Sequence, residues 1–154
     1  WVVDPIRVSA QVQTFTKSRL DPITEELKQV GTPDSVHVLT ELPGGARGIY
    51  HLSGVCHHGP STQIHLYGTG GTLKYLLAPE DKLMFSRTGE DDFSEVEIPA
   101  DKVGEWRVEE EFVNAIRGRE KVKFNDFRTG VRYMEFTEAV AISSRERRSV
   151  DLPL

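Results

Sequence analysis

The sequence predicts an α+β fold: a large, mostly antiparallel, open-faced sheet with two C-terminal helices on one face. Three observations predict it. Residues 6–16 alternate, with Ile6, Val8, Ala10 and Val12 on one side and Arg7, Ser9, Gln11 and Gln13 on the other, the period of a half-buried strand. Six further strand-sized segments follow, joined by short connections rich in Gly, Pro and Asp, as in a meander of hairpins. The last third changes to helical period. Strands first and helices after are the mark of an α+β chain.

Between residues 18 and 33 the alternation breaks. Asp21-Pro22 has the form of a helix N-cap and first position, and Ile23, Leu27 and Val30 lie along one side, so a short helix is expected there. The strands are placed at Val36–Leu42, Arg47–Cys56, Thr62–Tyr67, Thr72–Leu77, Lys82–Ser86 and Phe93–Ile98. Val108, Phe112, Ala115 and Ile116 define an amphipathic helix, with Glu109–Glu111 in its first turn and Gly118 after its end, charges that suit the helix dipole. Phe112 and Ile116 are expected to pack on the sheet. Asp126 is the expected N-cap of a second helix running to about Arg145. Its apolar residues, including Val131, Tyr133, Met134, Phe136 and Val140, cover more than one face, which predicts burial on two sides. Ser149–Leu152 reads as a last strand.

The chain has 154 residues, 38% of them hydrophobic and 28% charged, the size and composition of one globular domain. With 24 acidic and 19 basic side chains the net charge is −5, the wrong sign for a generic nucleic-acid binder. No apolar run reaches the ~18 residues of a membrane span. A single cysteine, Cys56, excludes an internal disulfide. Without a secretory segment the chain reads as cytoplasmic. It begins at Trp1 rather than Met and reads as a trimmed or partial polypeptide.

Gly68-Thr69-Gly70-Gly71 invites comparison with a dinucleotide loop. Leu73 stands where the third glycine belongs and a strand follows rather than a helix, so a hairpin turn is expected. The five histidines are His37, His51, His57, His58 and His65. Of these, His37, His51 and His65 lie on separate segments that a sheet face can align, but half-buried or interface roles are expected and no metal site is assigned. Cys56 and His57 are neighbours whose side chains diverge on a strand, so no nucleophile–base pair is expected, and Cys56 is placed in the core. Lys17 and Arg19 follow the first strand, where they suit an anionic or polyhydroxyl substrate, or simply a solvated strand end.

Several segments resemble, in order, those of one family. Phe15-Thr16-Lys17-Ser18-Arg19 is similar to its F-x-K-x-R, Gly68–Leu73 to its G-x-x-G-x-L hairpin, and Glu111–Gly118 to its E-F-x-x-A-I helix. Met134–Ser144 resembles its M-x-V-x-E-A-x-x-x-S helix, and Ser149–Pro153 its closing V-x-L-P strand. The family is the Gfo/Idh/MocA oxidoreductases, which include glucose–fructose oxidoreductase and inositol dehydrogenase. The resemblance implies that residues 1–154 are the C-terminal substrate-binding and oligomerisation domain of an NAD(P)-dependent enzyme acting on a sugar or cyclitol. It further implies that the N-terminal Rossmann domain, with the E-K-P lysine and the His-x-x-Asp helix, is absent from this chain. No catalytic residue carries over, and this chain alone is expected to bind neither NAD nor NADP. The loop after the Arg47–Cys56 strand reaches the substrate in some members. Here it contains His57 and His58, which donate to and accept from hydroxyls. A homo-oligomer through the sheet face opposite the helices is expected, with no nucleic-acid or membrane partner. The alternative is a non-enzymatic module that dimerises through its sheet or binds a small ligand.

Overall fold

The computed structural model describes residues 4–77, 79–123 and 126–154; Trp1 lies outside them. The chain divides into two compact units, Trp1–Cys56 with Glu109–Leu154, and His57–Val108.

In the first unit, β1 (Arg7–Gln13), β4 (Ser35–Glu41), β5 (Arg47–Ser53) and β10 (Val150–Asp151) form one antiparallel sheet in the order β10-β1-β4-β5. β2 (Ser18–Leu20) and β3 (Leu27–Gln29) form a separate two-stranded ribbon. The expected alternation of β1 is present. Val8 is fully buried and joins Val38, Val150 and Ala139 in a core, with Ala10, Val36, Phe136, Val140 and Ile142 packed around it. Ala139 belongs to α2 (Phe127–Glu146), whose N-cap is Asp126, as expected, accepting the Thr129 N–H. The Phe136 ring lies 5.8 Å from that of Tyr50 on β5.

β10 pairs with β1 only at Arg7 and Val8. Beyond them the edge of β1 is closed by the end of α2. Ser143 Oγ accepts the Ala10 N–H at 2.8 Å and donates to the Arg148 carbonyl, and Ser144 Oγ accepts the Val12 N–H at 3.1 Å. An edge strand otherwise presents unpaired donors, and two adjacent serines satisfy two of them. The strand expected at Ser149–Leu152 is shorter, Val150–Asp151.

The second unit is an antiparallel meander, β6 (Gln63–Gly68), β7 (Gly71–Leu76), β8 (Lys82–Arg87) and β9 (Ser94–Glu95), in sequence order. The described strands are thus all antiparallel, and the α+β class stands. They are shared between two four-stranded sheets and a ribbon.

Four expectations are corrected. Residues 21–30 form no helix. The Asp21 carboxylate accepts the N–H groups of Ile23 and Thr24, Glu25 adopts φ 56°, and the Asp21 N–H reaches the Glu26 carbonyl. One turn is capped, then a left-handed residue reverses the chain into β3. Second, α1 (Val108–Ile116) leaves Phe112 67% and Ile116 71% exposed; the sheet's apolar face is taken by the longer α2. Third, among the described residues α2 is covered on one side only, and Phe127 is 98% exposed at the start of a stripe continued by Val131 and Met134. Fourth, Cys56 is exposed rather than in the core, because β5 ends at Ser53 and Gly54 turns away to the Asp34 carbonyl.

Candidate functional site

The end of the first sheet at which β1 and β5 finish is organised by Asp34, just before β4. Its N–H donates to the Gln13 carbonyl at 3.1 Å, and its carbonyl accepts the Gly54 N–H at 2.9 Å. Its two carboxylate oxygens accept the N–H groups of Phe15 and Thr16, each at 2.8 Å. One residue therefore ties the chain leaving β1 to the chain leaving β5. Those two backbone donors hold the carboxyl below its ordinary value, because they favour the charged form. A carboxylate so engaged acts as a brace, not as a general base. It was missed from sequence because its partners lie 18 and 19 residues upstream in a loop.

The brace positions Lys17. The Lys17 ammonium donates to the Thr14 carbonyl, and the Lys17 carbonyl accepts the Val30 N–H at 2.9 Å. Arg19 lies on β2 directly opposite Lys28. Lys28 is neutralised by Asp21, which leaves Arg19 exposed at the ribbon. The Asp21 carboxyl is lowered first by Lys28 and then by the Ile23 and Thr24 N–H groups. Lys17 and Arg19 are thus two exposed cations beside the braced loop, chemically donors toward hydroxyl or carboxylate oxygens.

In the second unit, His57 and His58 sit in an exposed turn, with His58 at φ 58°. That left-handed conformation is one that histidine adopts more readily than most side chains. Further on, His65 is held on both sides: Nδ1 is 2.8 Å from Tyr67 Oη and Nε2 is 3.1 Å from Gln63 Oε1. Alternation along β6 puts all three on one face. His37 and His51 are cross-strand partners in the first unit, with ring centroids 4.5 Å apart. Among the described residues no group of three metal-ligand side chains converges.

Gly68 and Gly71 are cross-strand partners closing the β6–β7 hairpin around Thr69-Gly70. A Cβ on Gly71, whose φ is 151°, would meet the Ser86 carbonyl oxygen at 2.3 Å. The glycine serves a close strand approach, as the hairpin expectation has it. A turn that feeds a strand does not fit a pyrophosphate, which binds where a glycine loop opens a helix. No helix of the described residues is long and apolar enough to cross a membrane.

Residues 1–74 match the family described as GFO/IDH/MocA C-terminal domain. No curated protein matches the chain at a significant level. Among solved structures, an NAD binding oxidoreductase from Klebsiella pneumoniae is 22% identical with a TM-score of 0.77, over 98% of this chain and 46% of its own. Levoglucosan dehydrogenase in complex with NADH and L-sorbose is 20% identical with a TM-score of 0.76, over 97% of this chain and 45% of its own. The WlbA dehydrogenase from Bordetella pertussis, in complex with NADH and UDP-GlcNAcA, is 17% identical with a TM-score of 0.66, over 98% and 40%. At these identities the likeness is one of fold. The chain spans less than half the length of the structures it matches.

Proposed function

Residues 1–74 carry the sequence of a GFO/IDH/MocA C-terminal domain and the chain carries its fold; from this premise we propose that it is the substrate-binding and oligomerisation part of an NAD(P)-dependent oxidoreductase acting on a sugar or cyclitol in the cytoplasm. The observation that carries the proposal is the Asp34 brace. It fixes the loop that leads from β1 to Lys17, whose ammonium donates to the Thr14 carbonyl, and on to the exposed Arg19 of β2. Relatives of the same fold were solved with NADH and a sugar or sugar nucleotide, which supports the substrate class.

The cofactor, when bound, takes or gives the hydride. The Gly68–Gly71 turn does not fit a dinucleotide, so this chain's part is the substrate. Lys17 and Arg19 orient the substrate through its oxygens. Separately, His57 and His58 exchange hydrogen bonds with hydroxyls. Neither pair forms or breaks a bond. The exposed stripe Phe127, Val131 and Met134 on α2 supports a further domain covering it.

The test has two arms. Calorimetric titration of this chain with NADH should give no binding in the micromolar range; binding there would refute the assignment of the cofactor to another domain. In an enzyme containing this chain, Lys17→Ala and His58→Ala should each lower kcat/KM for the sugar about two- to tenfold, one lost hydrogen bond, with NADH affinity unchanged. Unchanged kinetics in both variants would reduce these side chains to solvated surface.

A further inference from the structure

His37 on β4 and His51 on β5 are direct cross-strand partners. Val38 belongs to the core under α2 and Val36 packs against it, so alternation turns both imidazoles to the opposite face of the sheet, where both are exposed. The pair sits at a narrow position of the ladder. The Leu42 N–H donates to the Ala46 carbonyl, and the Gly54 N–H donates to the Asp34 carbonyl. Stepping inward by two from either end makes the even-numbered positions of β4 its hydrogen-bonded pairs with β5. His37 and His51 are therefore a non-hydrogen-bonded pair, the kind whose side chains stand closest. Their ring centroids are 4.5 Å apart and the ring planes are tilted by 35°.

That separation is one that two imidazoles take on a single ion. A ring nitrogen binds a first-row metal at about 2.0–2.1 Å, which puts the ring centroid about 3.2 Å from the metal. Two rings set about 90–109° apart around the ion then have centroids about 4.5–5.2 Å apart. Among the described residues neither ring is hydrogen-bonded by a protein group, whereas His65 is engaged at both nitrogens, by Tyr67 and Gln63. The same-face neighbours along the two strands are Ser35, Leu39, Ile49 and Ser53. None is a carboxylate, so the pair offers nitrogen ligands without the oxygen cage that magnesium or calcium takes.

We propose that His37 and His51 chelate one divalent first-row transition-metal cation, of the nickel, copper and zinc class, with water in the remaining positions. The strands hold both ligands in place beforehand, so the second imidazole meets the ion at high effective concentration. Two protein ligands make an exchangeable site, unlike the closed four-ligand sites of structural zinc. The bound ion ties β4 to β5 and favours the folded chain, because the folded register is what brings the two rings together. This site stands apart from the substrate assignment, in which neither histidine takes part.

The test titrates the untagged chain with Ni²⁺ by calorimetry at about pH 7.5, where the ion meets neutral imidazole. Wild type should bind one Ni²⁺ per chain in the micromolar range and should not bind Mg²⁺. His37→Ala and His51→Ala should each weaken Ni²⁺ binding at least about tenfold, because each removes the chelate. The double variant His57→Ala/His58→Ala should bind as wild type does. A wild type that does not bind Ni²⁺, or that binds Mg²⁺ as well, overturns the proposal. So does binding that survives in both single variants or is lost in the double variant. Nuclear magnetic resonance of the wild-type chain supplies a reading that needs no variant to fold. Substoichiometric paramagnetic Ni²⁺ should broaden the ring signals of His37 and His51 before those of His57, His58 and His65, and broadening that starts at any of those three overturns the site.

Discussion

Replacing Ser143 by alanine isolates the clamp that closes the edge of β1. Ser143 is 2% exposed. Its hydroxyl accepts the Ala10 N–H at 2.8 Å and donates to the Arg148 carbonyl at 2.6 Å. Alanine fills nearly the same volume, so the packing around Ala139 is little changed and the perturbation is polar. A net hydrogen bond contributes about 0.5–1.5 kcal/mol, and a stranded buried backbone group costs about 1–3 kcal/mol. Two lost bonds with a stranded N–H and C=O therefore give a destabilisation of about 2–3 kcal/mol. That corresponds to a fall in Tm of about 4–12 °C for a chain of this size. Ser144 is the internal control. It makes one longer bond, 3.1 Å to the Val12 N–H, at a half-buried position where water can substitute, so Ser144→Ala should cost about 0.5–1 kcal/mol. Urea unfolding followed by far-ultraviolet circular dichroism measures both, with m expected unchanged. A Ser143→Ala loss under about 1 kcal/mol, or equal losses at the two serines, would refute the edge-closing role.

Three further outcomes are expected. Thr40 is 2% exposed and its hydroxyl oxygen has no hydrogen-bond partner among the described residues, so Thr40→Val should stabilise the chain by about 0.5–1.5 kcal/mol in the same assay; a loss of stability would mean that the hydroxyl is satisfied. Phe112→Ala should cost less than about 1 kcal/mol, against about 3–5 kcal/mol for a buried phenylalanine, and the larger loss would show that α1 is docked when the protein is in solution. The carboxyls of Asp21, Asp34 and Asp126 are held below their ordinary value in the folded chain, by Lys28, by the Phe15 N–H and by the Thr129 N–H respectively as the leading causes. Their stabilisation is full above the unfolded carboxylate value near 4 and is lost as pH falls through the depressed folded values. Urea midpoints measured from pH 6 downward should therefore decline below about pH 4, and Asp34→Asn should flatten the decline; identical profiles would show that Asp34 does not titrate with folding.

Local pattern by itself determined a great deal. The two-residue period of 6–16 selected the buried face of β1, and Val8 is its fully buried member. Asp126 announced the start of α2 because an N-cap needs only its own next three residues. The glycine run at 68–71 was legible as a hairpin because the missing third glycine and the following β-branched and aromatic residues are local facts. Residues 21–30 misled for the same reason. Asp21-Pro22 does start one helical turn, but whether it continues depends on Glu25 reversing the chain and on Lys28 reaching Asp21 across the ribbon. Periodicity marked α1 and α2 as amphipathic without saying which apolar face the sheet would accept. One face of one sheet seats α2, and Phe112 and Phe127 remain outside. The roles of Asp34 and Ser143 were invisible at their own positions, since a carboxylate and a hydroxyl are common residues and the backbone N–H groups they accept from lie 18 to 133 positions away. Which two of His37, His51 and His65 meet belongs to the tertiary structure alone. His37 and His51 stand together only once the register aligns β4 with β5, and a shift of one residue would turn the shifted strand's histidine to the other face.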